Sequence, residues 1–335
     1  MTYNYRVYGL NIALSQPLSQ LRPIEHSDFD VFIDISNLNV PSICRDAGGT
    51  NCSTKQQFED SDNSDGITVL HSADWICIAY PRSQHEILRF YISKDGSRVV
   101  SEKPATIPFS DIESFILGPI LGCVLRLRQR ICIHASVMEY NGKAFAFVGN
   151  KGAGKSTTAG ALLQAGARLV SDDIAVLNAG DASDTTVYPG YPGVRLFPNT
   201  LSVFGLNEND YRQVVSSSNK RYVPLIDSDH ASINTPGWRF NSTPCKLMSI
   251  YALAARQPDL RRTKIHNLTK KEALISLAPH GYGRRILNKQ QRAEEFVFLA
   301  KLSRRIQIKS VHRPNKLELL AEIAEDILAD VNKLI

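Results

Sequence analysis

The chain opens in strand grammar. Val31, Ile33 and Ile35 alternate with Phe32 and Asp34, and residues 5–14 are rich in Tyr, Val and Ile. Residues 45–66 hold almost nothing apolar and predict a mobile surface loop. Strand patterns resume over 67–70, 75–80 and 87–93. The last is predicted to pair with 98–102 through Lys94-Asp95-Gly96-Ser97, because Asp-Gly between apolar runs is a strong hairpin signal. The first hundred or so residues therefore read as an antiparallel β module.

The period then changes. Residues 111–130 read as a helix with Asp111 as N-cap and a bend at Pro119. Residues 131–138 and 144–148 read as buried strands, and 155–164 as a helix ending at Gly166. Residues 168–177 read as a strand interrupted by Asp172-Asp173. This is the start of an α/β fold. Further helices are expected over 270–277 and 290–304. A last one, over 317–334, places Leu317, Leu320, Ala324, Ile327, Val331 and Leu334 on one core-facing stripe. Two domains result, 1–110 and 111–335, in line with the length of 335 residues.

Composition excludes several classes. Hydrophobic residues make up 43% and charged residues 21%, which fits a folded chain and not global disorder. The opening Met1 to Arg6 leads into no apolar run, so no secretory leader is expected. The longest apolar stretch, 115–127, is broken by Gly118-Pro119 and Gly122 and falls short of the roughly 20 residues a bilayer span needs. A cytoplasmic protein with no membrane partner is expected. The cysteines (Cys44, Cys52, Cys77, Cys123, Cys132, Cys245) show neither CxxC nor a close His, so neither a zinc site nor a disulfide framework is expected.

One motif carries chemistry directly. Gly149-Asn150-Lys151-Gly152-Ala153-Gly154-Lys155-Ser156 satisfies G-x-x-x-x-G-K-[ST] between an apolar strand and a helix-forming run that continues with Thr157. Glycines let successive N–H groups curl around an anion, and the following helix aims its positive end at the phosphates. Residues 149–157 are expected to bind the nucleotide. Lys155 would reach the β- and γ-phosphates and Ser156 would ligate Mg²⁺. No guanine-reading motif stands at the usual place, which favours ATP. Asp172-Asp173 ends a strand seventeen residues after Lys155, where one carboxylate can serve Mg²⁺ and its neighbour can accept a proton. Crowding should raise one of the two pKa values. His134, fifteen residues before Gly149, reads on its own as a core histidine of the preceding strand.

Taken together, Ile133-His134-Ala135, Gly149 to Ser156 and Leu169-Val170-Ser171-Asp172-Asp173 resemble the HPr kinase/phosphorylase family of P-loop protein kinases. The resemblance implies, for the α/β fold, a P-loop kinase core of the HPr kinase type; the antiparallel β-rich N-terminal module ahead of it is read from the strand pattern and does not look like the N-terminal domain of typical family members. It implies Asp172 as the base or acid acting on a serine hydroxyl, Asp173 as a helper near Mg²⁺, and His134 as the residue that orients the pair. In Gly193-Val194-Arg195, Arg195 matches the arginine of the family's second signature, and Gly193 stands where the family carries a metal-ligating Glu. Shorter segments are similar to HPr-kinase-like proteins of lasso-peptide clusters. They include Tyr8-Gly9-Leu10, Leu117-Gly118-Pro119 with His134-Ala135-Ser136, Tyr191-Pro192-Gly193-Val194-Arg195-Leu196, Lys220-Arg221 and Tyr251-Ala252-Leu253. This likeness implies a kinase acting on a precursor peptide, typically on a C-terminal serine.

Charge sharpens the choice of partner. The overall +6 hides a front segment, 1–66, at net −5 and a block, 240–316, at net +13. That block lacks aromatic interleaving and helix-turn-helix grammar, which argues against nucleic acid. Solvated helix faces are one reading of it; cations that stabilise transferring phosphate or hold an acidic peptide or C-terminal carboxylate are the other. Lys220-Arg221, beside a Ser/Asn run, is a candidate lid. The expected activity is an ATP- and Mg²⁺-dependent serine kinase acting on a peptide or small protein. Its rivals are a P-loop kinase of a small metabolite and a nucleotide-binding regulator. Oligomeric state, including a homo-oligomer, stays open.

Overall fold

The structure, a computed structural model, describes residues 2–26, 28–36, 54–60, 63–83, 86–178, 185–227 and 236–334. The chain forms two compact units, Met1–Gln129 with Arg285–Leu287, and Arg130–Arg284 with Asn288–Ile335. The division falls after Gln129 and not at the expected 110, because side chains bind the helical segment to the strands before it. Glu113 accepts hydrogen bonds from Ser19 Oγ and the Gln20 backbone N–H, both at 2.7 Å. Arg82 pairs with Asp111 at 3.0 Å, and Tyr8 donates its hydroxyl to the Leu117 carbonyl.

The first unit carries strands β1 (Tyr3–Val7), β2 (Leu10–Leu14), β3 (Val31–Asp34), β4 (Thr54–Asp60), β5 (Asn63–His71), β6 (Trp75–Pro81), β7 (Ile87–Ser93) and β8 (Arg98–Glu102). Among the described residues they form one sheet in the order β1-β2-β3-β8-β7-β6-β5-β4. The sheet is not wholly antiparallel, since β3 runs parallel to both β2 and β8. The expected loop over 45–66 is corrected in part: β4 and the start of β5 pair as a hairpin, while 45–53 lies outside the described residues. Residues 54–65 hold one apolar side chain, Phe58, and so escape an apolar-alternation search. The helix breaks as its sequence predicts. Helix α1 (Phe109–Phe115) passes through a wide turn at Gly118-Pro119 into α2 (Leu121–Leu127). It begins two residues before Asp111, after Pro108, and Asp111 serves Arg82 instead of capping.

The second unit begins with β9 (Ile131–Ile133), β10 (Ser136–Tyr140), β11 (Lys143–Val148), α3 (Lys155–Gln164), β12 (Arg168–Ser171) and β13 (Ala175–Leu177). It continues through β14 (Thr186–Tyr188), β15 (Gly193–Leu196), α4 (Pro198–Val203), β16 (Arg221–Pro224), β17 (Ile226–Asp227), β18 (Arg239–Phe240) and β19 (Cys245–Leu253). It closes with β20 (Lys264–Asn267), α5 (Lys270–Leu277), α6 (Lys289–Arg305), β21 (Gln307–His312) and α7 (Leu320–Asn332). The main sheet has the order β17-β18-β12-β10-β11-β19-β14-β13-β9, with β21 also on β19 and β20 on β21. Strand β11 is buried on both faces. Phe145 and Phe147 face a core shared with α3 and α7, and Ala144, Ala146 and Val148 face one shared with α5 and α6. A helix-covered mixed sheet results, as the α/β reading expects.

Two details of this sheet place the chemistry. Strand β10 is antiparallel to both β11 and β12, so β11 and β12 run the same way with β10 between them. Strands β19 and β21 are parallel to β11 on its other side. The carboxyl ends of four strands thus share one sheet edge, where ligands of α/β folds bind.

Candidate active site

The loop from Gly149 to Ser156 leaves β11 at that edge and enters α3. Gly152 and Gly154 take φ of +77° and +90°, left-handed values open to glycine and costly for other residues. Lys155 turns back onto its own loop and donates to the Gly149 carbonyl at 2.8 Å. Burial lowers its pKa, against the opposing pull of Asp173 and Asp172. Thr157 faces Thr200, with the two hydroxyls 3.4 Å apart.

The acidic pair arrives from β12. Strand register sets Ser136 opposite Phe147 and Val137 opposite Ser171, so the start of β10 lies between the loop and the pair. Ser136 Oγ donates to Asp172 Oδ1 at 2.6 Å, and Ser156 Oγ to Asp172 Oδ2 at 3.4 Å. Asp172 is 1% exposed. Burial and then the neighbouring Asp173 charge raise its pKa, only partly offset by the Ser136 hydrogen bond and by Lys220 and Arg195. Asp173 moves the other way. Burial would raise it, but Arg195, His134, Lys220 and Lys155 together hold it below the usual carboxylate range. Proton affinity is thus raised at Asp172 and lowered at Asp173.

The backbone turns sharply between them. Asp173 has φ of +67°, sparsely populated for a residue with a side chain. Two contacts hold it there. His134 Nδ1–H donates to the Asp173 carbonyl at 2.9 Å, which fixes the imidazole tautomer, and Arg195 Nη1 donates to Asp173 Oδ2 at 3.3 Å. His134 is not inside a strand, as expected, but in the gap between β9 and β10. Its backbone N–H donates to the His280 carbonyl, which sets its place. The Arg195 guanidinium also lies over the Tyr191 ring, 5.4 Å from its centroid, and its backbone N–H points to Asp172 Oδ2 at 3.5 Å.

The predicted residues His134, Lys155, Ser156, Asp172, Asp173 and Arg195 thus gather at one edge. The Ser156 hydroxyl meets Asp172, and Asp173, the carboxylate expected near Mg²⁺, is paired with Arg195. At Gly193, where a carboxylate would complete the metal shell of the resembled family, a Cβ would overlap the Tyr222 ring. Among the described residues no group of three or more His, Cys, Asp or Glu could hold a metal. Ser156 with one carboxylate still fits Mg²⁺, which binds through one or two carboxylates and completes its octahedron with phosphate and water.

Sequence reading missed Ser136 and His280 as members of the site. Ser136 lies two residues after His134, with no spacing rule to flag it. His280 arrives from the far end of α5, and burial with Lys155, His134 and Arg284 nearby pulls its pKa down to about 4.

Comparison with known proteins adds little. No protein-family model matches the chain, and no curated protein is significantly similar to it. Among solved structures, it is similar to the Hpr(Ser) kinase/phosphatase from Coxiella burnetii at 12% identity. That match covers 60% of this chain and 98% of the other, at a TM-score of 0.29. Among the described residues no helix is long and apolar enough to cross a membrane.

Proposed function

We propose that this protein is an ATP- and Mg²⁺-dependent kinase that transfers the γ-phosphate to a serine hydroxyl of a peptide or small protein. The observation that carries the reading is the buried Asp172, held by Ser136 on one oxygen and reached by the loop serine Ser156 on the other. A carboxylate fixed beside a phosphate loop, with raised proton affinity, suits a base that takes a hydroxyl proton.

In this reading the loop backbone and Lys155 hold the triphosphate. Asp172 accepts the proton of the acceptor serine as that oxygen bonds to the γ-phosphorus and the bond to the bridging oxygen breaks. His134 and Arg195 position Asp173, and its charge keeps the proton affinity of Asp172 high. Bound at Ser156 and one carboxylate, Mg²⁺ would neutralise phosphate charge as it builds. A C-terminal serine of a precursor peptide, as in lasso-peptide systems, is the acceptor favoured by the sequence resemblance.

Asp172→Asn tests the base. Nucleotide affinity should stay within about threefold, and transfer of labelled phosphate to a serine peptide should fall at least about a hundredfold. Transfer at the wild-type rate would overturn the assignment. Label appearing only in small metabolites would overturn the peptide acceptor.

A further inference from the structure

Lys220 and Arg221 are neighbours in sequence with different partners. Arg221 opens β16 and pairs with Glu208 at 3.1 Å. Lys220 has no carboxylate partner among the described residues, and its ammonium lies over the Phe197 ring, 5.2 Å from the centroid. Strand pairing sets this up. Arg195 lies opposite Tyr222 and Leu196 opposite Arg221, so the next step of the register sets Phe197 opposite Lys220. Side chains alternate across a strand, so Lys220 and Phe197 share the face of the ribbon that carries Arg195. The Lys220 backbone is held as well. Its carbonyl accepts the Val214 N–H at 2.9 Å, and its N–H donates to Ser218 Oγ at 3.2 Å.

That ribbon face is turned to the acidic pair, since Arg195 Nη1 reaches Asp173 Oδ2. Lys220 is close enough for its charge to lower the proton affinity of Asp172, Asp173 and Lys155 alike. The pair already has contact partners without it. Arg195 holds Asp173, and Asp172 meets the hydroxyls of Ser136 and Ser156. Lys155, Arg195 and Lys220 thus bring one positive charge more than the two carboxylates balance, and an anion is the complement of such a site. The mode of holding fits that role. A ring face fixes an ammonium without neutralising it, whereas a carboxylate there would cancel its charge and repel phosphate. Phe197 is 50% exposed, so a ligand can reach the ammonium that it carries.

We infer that Lys220 is a catalytic cation of this site, contacting the oxygens of the γ-phosphoryl group as that group passes to the acceptor serine. The inference rests on the kinase activity proposed above. As the serine oxygen bonds to phosphorus and the bridging bond breaks, charge spreads over the equatorial oxygens of the transferring group. The serine proton goes to Asp172, the leaving ADP keeps the electron pair of the broken bond, and Lys220 stays charged throughout. Lys155 arrives from the loop and Lys220 from the start of β16, so two separate elements supply the cations. A cation already in place costs no reorganisation when the charge moves, and so acts on the rate more than on nucleotide affinity.

Lys220→Met keeps the length of the side chain and removes its charge. By calorimetry it should bind ATP with Mg²⁺ within about threefold of wild type, which also shows that it is folded. Single-turnover transfer of labelled phosphate to a serine peptide should fall about a hundredfold, and Lys220→Arg should recover it to within about tenfold of wild type. Phe197→Leu should lower transfer about fivefold, and add little in the Lys220→Met background, because the ring acts through the ammonium. The pH profile separates contact from a distant field. A mere counter-ion would keep Asp172 unprotonated, so its loss would move the acidic limb to higher pH and high pH would restore the rate. A catalytic cation predicts the same fold loss at every pH. Restoration at high pH, transfer within about threefold of wild type in Lys220→Met, equal losses of ATP affinity and transfer, or additive losses in the double variant each overturn the assignment. A wild type that binds ATP and labels no peptide fails the kinase reading itself, and the role of Lys220 falls with it.

Discussion

Single residues carry the contrast on which the site depends. Asp172 and Asp173 are neighbours in sequence and opposite in environment: one is buried behind serine hydroxyls, the other is held by a guanidinium and a turned backbone. The sequence announces a crowded pair and predicts one raised pKa, which is what the structure shows. Which of the two is raised depends on the burial of Asp172 and on Arg195, 22 positions from Asp173, and no local rule reads that. His280 makes a second residue-scale prediction. Its folded pKa of about 4 lies below the ordinary histidine value of 6.5. The unfolded chain therefore binds this proton first, so the contribution of His280 to stability is full above about pH 6.5 and is lost as pH falls through about 4. Thermal melts from pH 7 to pH 4 should show a shallower loss of stability in His280→Gln than in wild type. Identical slopes would remove His280 as a source of acid sensitivity.

At the scale of elements, pairing decides what the sequence signature leaves out. Strand β15 lies on β16 with Gly193 opposite Pro224 and Arg195 opposite Tyr222, and the Tyr222 ring covers Gly193. The absence of a carboxylate there is thus a packing fact as well as a sequence one. Gly193→Ala should cost about 1–3 kcal/mol by overpacking, read as a lower denaturant midpoint. In a Tyr222→Ala background the same substitution should cost clearly less, because the two positions are coupled. Equal costs in both backgrounds would mean that Tyr222 is not the obstacle. The hairpins and helices themselves were legible, since Asp95-Gly96 sets the β7–β8 turn and α5, α6 and α7 follow their apolar stripes. The polar β4–β5 hairpin was not, because it lacks the apolar alternation that marks a half-buried strand.

Across the whole molecule, ligand binding and charge are the properties to measure. A nucleotide that binds only the folded loop stabilises it by about 2.7 kcal/mol at a hundred times its Kd. At roughly 2–4 °C per kcal/mol for a unit of this size, saturating ATP with Mg²⁺ should raise its melting temperature by roughly 5–10 °C. Lys155→Ala should show no shift in differential scanning calorimetry, and an equal shift in that variant would place the binding elsewhere. The sequence by itself determined a glycine-rich loop of G-x-x-x-x-G-K-[ST] pattern between strand and helix, an acidic pair at a strand end and a β-rich front followed by an α/β core. Those features depend on contiguous residues, on fixed spacing and on the period of the apolar positions. Only the tertiary structure decided that β10 lies between β11 and β12, that Ser136 meets Asp172 while Arg195 holds Asp173, and that His280 reaches His134 from the end of α5. Those outcomes depend on strand order and register, which bring together side chains too far apart in the chain for any local pattern to connect.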